Sequence, residues 1–198
     1  MKWIALAAFG TVVLAGTSAA AELNIPKHVV LPQLEPLVPS CADPAADRFL
    51  EVDIAQRPPA GATRVQRLSA WVTPDGVFHW PFVMRVRNIG DQPFMGKPGQ
   101  QAVVVTEDDL AAGKKGRVVA SVPFDRIAQH SGIAARFEFT APAAEIEKGK
   151  FRRVYTLSVQ YKHLGLEITN SRYGDCNLRN NSFVVDIDGS RKGWISAK

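Results

Sequence analysis

Residues 151–161 read Phe-Arg-Arg-Val-Tyr-Thr-Leu-Ser-Val-Gln-Tyr, so that Tyr155, Leu157, Val159 and Tyr161 alternate with Thr156, Ser158 and Gln160. A period of two places every apolar side chain on one face of an extended strand, which a helix of 3.6 residues per turn cannot do. The same period recurs in short runs from residue 49 to residue 187, and no long stretch after residue 22 carries apolar residues at helical spacing. The chain is therefore expected to be all-β, an antiparallel sandwich of seven to nine strands spaced roughly ten to fifteen residues apart.

The runs fall as follows. Phe49–Ala55 is expected as the first strand, with Leu50, Val52 and Ile54 inward and Glu51 and Asp53 outward. Val65–Thr73 and Val77–Asn88 form a hairpin about Pro74-Asp75-Gly76, a strong turn sequence. If Thr73 pairs with Val77, then Leu68, Ala70 and Val72 share the core face with Phe78, Trp80 and Phe82. Trp71 and His79 are then left opposite each other on the outer face, where Trp71 is either covered by a further layer or offered as a partner contact. Pro81 has no N–H to give to a ladder and marks an edge position or a bulge. Further strands are expected at Gln101–Thr106, Arg117–Val122 and Ala134–Thr140, the last with Phe137 and Phe139 inward. The run 151–161 is expected to continue through Leu164–Thr169, and Phe183, Val185 and Ile187 form the inner face of the last strand.

The ends of the chain carry a different message. Lys2, the apolar run Trp3–Ala15 and the small residues 16–21 have the layout of a secretory signal peptide cleaved after Ala21. Thr17 stands where a lipid anchor would need cysteine, and no later apolar run is long enough to span a bilayer. The expected location is periplasmic or secreted. Residues 22–47 contain Pro26, Pro32, Pro36, Pro39 and Pro44 and read as an extended proline-rich arm. The sandwich is expected over residues 48–190, and 191–198 as a tail. Cleavage would leave a formal charge of +4, 23 Lys+Arg against 19 Asp+Glu. The bases are scattered, so a nucleic-acid partner is not expected.

Cys41 and Cys176 are the only cysteines, and in an exported chain they are expected to form one disulfide. Closing a loop of about 135 residues stabilises a fold by up to about 5 kcal/mol in the chain-entropy account. The sequon Asn180-Asn181-Ser182 is expected to be idle.

Chemistry is hard to find. His28, His79, His130 and His163 are widely separated, and after Cys176 come Asn and Arg rather than the His and Met of a copper site. Glu107-Asp108-Asp109 lacks the ligand alternation of a calcium loop and reads as a solvated acidic turn. Glu145 and Glu147, beside Lys148 and Lys150, read as a charged hairpin edge. Nucleophile and phosphate-binding motifs are missing. The expectation is a chain with no metal, no cofactor and no catalytic residues.

Three segments carry a resemblance. They are Phe82–Asp91, running into Asn88-Ile89-Gly90-Asp91; Gly149-Lys150-Phe151, leading into the strand at Tyr155; and Asp175–Asn181 before Phe183-Val184-Val185. In this order they resemble the bacterial cell-adhesion-related (CARDB) domain over about residues 48–56 and 77–188. The resemblance implies an immunoglobulin or fibronectin type III-like sandwich and a non-catalytic binding or adhesion module, acting on a protein partner or the envelope surface. A periplasmic chaperone-like assembly factor, and a small enzyme or metal carrier, are the alternatives.

Overall fold

The computed structural model describes residues 40–65, 68–191 and 195–197. The expected signal peptide and residues 22–39 of the expected arm lie outside them.

Two antiparallel sheets enclose one apolar layer. The first is organised on β5 (Val77–Asn88), which pairs along almost its whole length with β10 (Gly132–Pro142), Phe82 opposite Phe137 and Trp80 opposite Phe139. The opposite flank of β5 is shared by three short strands: β1 (Pro44–Ala46), β2 (Glu51–Val52) and β4 (Ala70–Val72), with β3 (Thr63–Val65) outside β4. The second sheet has the order β13-β12-β11-β7-β8, formed by Ile195–Ala197, Ser182–Asp188, Arg152–Tyr161, Gln101–Asp109 and Lys114–Phe124. A two-stranded ladder of β6 (Phe94–Met95) and β9 (Arg126–Ile127) completes the set. The protein is an all-β antiparallel sandwich.

Period-two patterning accounts for the core. Phe78, Trp80, Phe82, Met84 and Val86 of β5 are buried on one side of their sheet, and Tyr155, Leu157 and Val159 of β11 face them from the other. Aromatic pairs join the two layers: Phe137 lies 4.7 Å from Tyr155 and Phe139 lies 5.3 Å from Phe151, centroid to centroid. Each such side chain removed from water contributes about 1.5–3 kcal/mol.

Among the described residues there are thirteen strands rather than seven to nine. Six of them have seven or more residues, and the others have two or three, too few for an alternation to show in sequence. Pro44–Ala46, expected in the arm, is one of these and pairs with Val86–Asn88. Ile195–Ala197, expected in the tail, pairs with β12. Before it, Asp188 accepts from the backbone N–H and the hydroxyl of Ser190, and its carbonyl accepts from the N–H of Arg191, which turns the chain.

Pro81 explains the largest departure. The ladder of β2 on β5 runs from Glu51 opposite Val83 to Val52 opposite Phe82. At the next step the Asp53 N–H donates to the Pro81 carbonyl at 3.0 Å, but proline cannot return the bond. The Asp53 carbonyl instead accepts from Gln56, and the chain turns away. Ile54, expected inward, is therefore exposed, while Asp53, expected outward, is buried and accepts from Arg136 at 3.1 Å. Pro81 is thus interior toward β10 and marks a break on the other flank, where β2 ends and β4 begins.

Two smaller corrections follow from local hydrogen bonding. Leu166–Thr169, expected as strand, is a helical turn (α2) that opens with Ile168 donating to the Gly165 carbonyl. Ala143–Glu147, expected as a charged hairpin edge, is a helical turn (α1) whose first N–H donates to Gly76.

Candidate functional site: a cleft beside the disulfide

The hairpin pair stands in the expected register. Trp71 lies opposite His79 and Val72 opposite Phe78, with the Thr73 N–H donating to Val77 and Gly76 at φ 80°. The indole and imidazole stack with centroids 5.8 Å apart and planes 6° from parallel. His79 Nδ1 meets Glu138 Oε2 at 2.9 Å, and Nε2 meets the Thr73 hydroxyl at 3.4 Å. Trp71 is only 5% exposed, so the ring is covered, and with Ile54, Gln56, Arg57 and Pro58 it lines a second concavity of about 510 Å³.

The Cys41–Cys176 disulfide is present, with Cα atoms 6.1 Å apart and 135 residues between them. Around it the Asn-x-Gly turn and the Asp…Asn-Asn turn converge on residues 41–43. Asn88 Oδ1 accepts from the N–H groups of Asp43 and Gly90, and its Nδ2 donates to Gln92 and Ile127. Asp175, with no exposed surface, accepts from the Tyr161 hydroxyl and from Asn181 Nδ2, both at 2.6 Å, and from the Asn177 N–H at 3.0 Å. Asn180 of the sequon donates its Nδ2 to Asp43 at 2.9 Å. Burial raises the Asp43 carboxyl above its ordinary range against the pull of Asn180, and the nearby charge of Asp175 adds to the rise.

Elsewhere, buried carboxylates are engaged by arginine. Glu107, expected in a solvated turn, is 3% exposed within β7 and accepts from Arg153 Nε at 3.1 Å, Arg117 Nε at 2.8 Å and the Tyr155 hydroxyl at 3.3 Å. Arg153 also pairs with Asp109, and Asp108 accepts from the Gly116 N–H. Arg152 holds both oxygens of Asp186, at 3.2 and 2.8 Å. Among the described residues no group of three or more His, Cys, Asp or Glu is placed to hold a metal ion.

A cleft of about 740 Å³ opens next to the disulfide, between residues 95–101 and 163–173. That is a ligand-sized volume. Met95, Ile168 and Tyr173 supply its apolar surface, Gln100 and Gln101 its polar wall, and Lys97 bridges to Glu167 at 2.9 Å. Its walls are tied down. Met95 N–H donates to the Tyr173 carbonyl, Ala42 N–H to the Arg172 carbonyl, and Cys176 N–H to Ala42. A Cβ on Gly174 would lie 2.1 Å from the Ile168 carbonyl oxygen, so only glycine lets this loop fold on itself. His163 lines the cleft, whereas Trp71 and His79 do not. The cleft draws on two segments distant in sequence and no motif; the one trace in sequence is Met95 and Tyr173, large apolar residues within glycine-containing loops.

No protein-family model matches this chain, and a search of curated proteins finds no match. No helix among the described residues is long and apolar enough to cross a membrane.

Three outcomes are expected. Trp71→Ala should lower stability by about 3 kcal/mol in chemical denaturation, as truncation of a covered aromatic does. Gly90→Ala should cost about 3 kcal/mol or more, because its Cβ would meet the Cys41 carbonyl oxygen at 2.2 Å. The third concerns alkaline pH. Burial first, and then the Glu107 and Asp175 charges, raise the Tyr155 and Tyr161 phenols far above their ordinary range. Above about pH 10 the unfolded chain releases these protons while the folded one keeps them, so stability falls as pH rises. Denaturant melts should show a loss approaching about 2.7 kcal/mol per pH unit for the two phenols together, and about half of that in Tyr155→Phe.

Proposed function

We propose that the chain is an exported, non-catalytic β-sandwich binding module of the CARDB type, periplasmic or secreted, that acts by surface contact with the cell envelope. The observation that carries this reading is the cleft between residues 95–101 and 163–173. It is a ligand-sized concavity whose lining includes the exposed side chains of Met95 and Tyr173. Two further features support the reading. The Asn-x-Gly and Asn-Asn turns that carry the family resemblance meet at the disulfide that holds the cleft wall. The buried carboxylates Glu107, Asp175 and Asp186 are each engaged by arginine, amide or hydroxyl donors, which gives them a structural role.

The Trp71–His79 pair is a weaker contact candidate, since the indole is covered by its own chain. A chaperone that lends or accepts a strand needs an open edge. Among the described residues two long strands stand at sheet edges: β8 is blunted by Lys114, Lys115, Pro123 and a bulge near Val119, devices that discourage strand addition, and β10 pairs only with β5. Co-sedimentation of the mature protein with bacterial cell-envelope fragments tests the proposal. The double substitution Met95→Ala/Tyr173→Ala should weaken the affinity at least about tenfold, a change of about 1.4 kcal/mol, with the melting temperature nearly unchanged. Binding that is insensitive to both positions would sink it.

A further inference from the structure

We infer that β10 is the docking edge for a second copy of this chain, through antiparallel pairing of β10 with itself; the cleft takes no part in it. β10 (Gly132–Pro142) pairs with β5 on one flank, and no strand among the described residues pairs with the other. β8 of the second sheet lies nearby but forms no ladder with it. The direction of the backbone groups follows from Pro81. Its carbonyl accepts from Asp53, on the flank of β5 away from β10. Glu138 stands opposite Pro81, so its own N–H and carbonyl point away from β5, because bonded and non-bonded pairs alternate along an antiparallel ladder. The same alternation sends the groups of Ala134, Arg136 and Thr140 outward. Arg136 is exposed and the other three are partly exposed, so this row is within reach of another chain. Between Gly132 and Pro142 there is no proline, no lysine and no shift of register, the devices that guard β8.

The sequence of β10 selects itself as the partner. Phe137 is the midpoint of the strand, so a two-fold axis there overlaps β10 along its full length, Gly132 opposite Pro142 of the second copy. In that register the residues with outward backbone groups face one another. Ala134 meets Thr140 of the second copy and Arg136 meets its Glu138, twice over. Both charged side chains lie on the outer face, where opposite charges directly across a ladder attract. An axis one residue to either side sets Arg136 against Arg136 or Glu138 against Glu138, and like charges there repel. The charges are within reach: the Arg136 side chain is 59% exposed and that of Glu138 31%. Each meets its present partner through one atom, Nε on Asp53 and Oε2 on His79. Pro142 has no N–H to give, but it falls at the end of the ladder. Phe137 and Phe139 stay in the core of their own copy.

Sedimentation of the disulfide-intact protein over a concentration series should show a reversible monomer–dimer equilibrium. Amide exchange at Ala134, Arg136, Glu138 and Thr140 should slow as concentration rises. Thr140→Pro removes an outward N–H and no bond to β5, so it should weaken dimerisation at least about tenfold, with the melting temperature of the monomer nearly unchanged. Glu138→Arg and Arg136→Glu should each weaken self-association by a similar factor. An equimolar mixture of the two should restore dimers, since every facing pair is then opposite in charge. A protein that stays monomeric throughout, or a dimer indifferent to Thr140→Pro, overturns the inference. So does a mixture that associates no better than either variant alone. If Arg136→Glu fails to fold without its Asp53 pair, Thr140→Pro and Glu138→Arg decide on their own. If an added peptide protects these amides while the protein itself remains monomeric, the edge accepts a foreign strand and the second copy is wrong.

Discussion

Asp175 lies wholly out of water, and a buried carboxylate is tolerable only if hydrogen-bond donors replace the lost solvent. The chain supplies three from around the site: a phenol from the end of β11, a side-chain amide from just before β12 and a backbone N–H from the following turn. One residue further on is Cys176, covalently joined to the segment that leads into β1. Ala42 and Asp175 pair as an isolated parallel bridge, so the segment before β1 is locked beside the turn that leads to β12. The first sheet, the second sheet and the loop carrying Tyr173 all meet here. The cleft is therefore shaped by the same bonds that close the sandwich.

Charge on the outer face of the first sheet follows a related logic. Arg85 grips Glu51, Arg87 pairs with Asp47 at 2.8 Å, Arg136 reaches Asp53, and His79 meets Glu138. Each pair ties β5 or β10 to another part of the chain, and the exposed ones contribute little individually. Pro81 and Val83 of β5 are themselves buried.

The long strands were legible because a sustained alternation of apolar and polar residues leaves no other reading, as for the faces of β10 and β11. The Trp71–His79 pairing followed instead from the Pro74-Asp75-Gly76 turn, which sets Thr73 opposite Val77. The inversion at Asp53 and Ile54 could not, since it depends on which residue of β5 stands opposite, and that residue is a proline. Glu107 looked like part of a solvated turn because both of its arginine partners are remote in sequence, on β8 and β11. Asn88, Asp175 and the Asn180-Asn181 pair stood out as turn chemistry, but their convergence on Cys41–Asp43 is a tertiary fact. The cleft was the least legible part: Met95, Gln101 and Tyr173 belong to no common motif, and only folding brings them to one hollow.

The 135-residue span of the disulfide has a kinetic side as well. β1 finds its partner in β5, and the segment before it is held both by the Asn88 turn and by Arg172, Asp175 and Cys176 far along the chain. During synthesis from the N-terminus, Cys41 emerges long before its partner and must wait as a thiol. Closing so long a loop is entropically slow, and folds rich in such distant pairings typically mature in milliseconds to seconds. The loop that carries Tyr173 immediately precedes Cys176, so this wall of the cleft gains its covalent tether to residue 41 only when the disulfide closes.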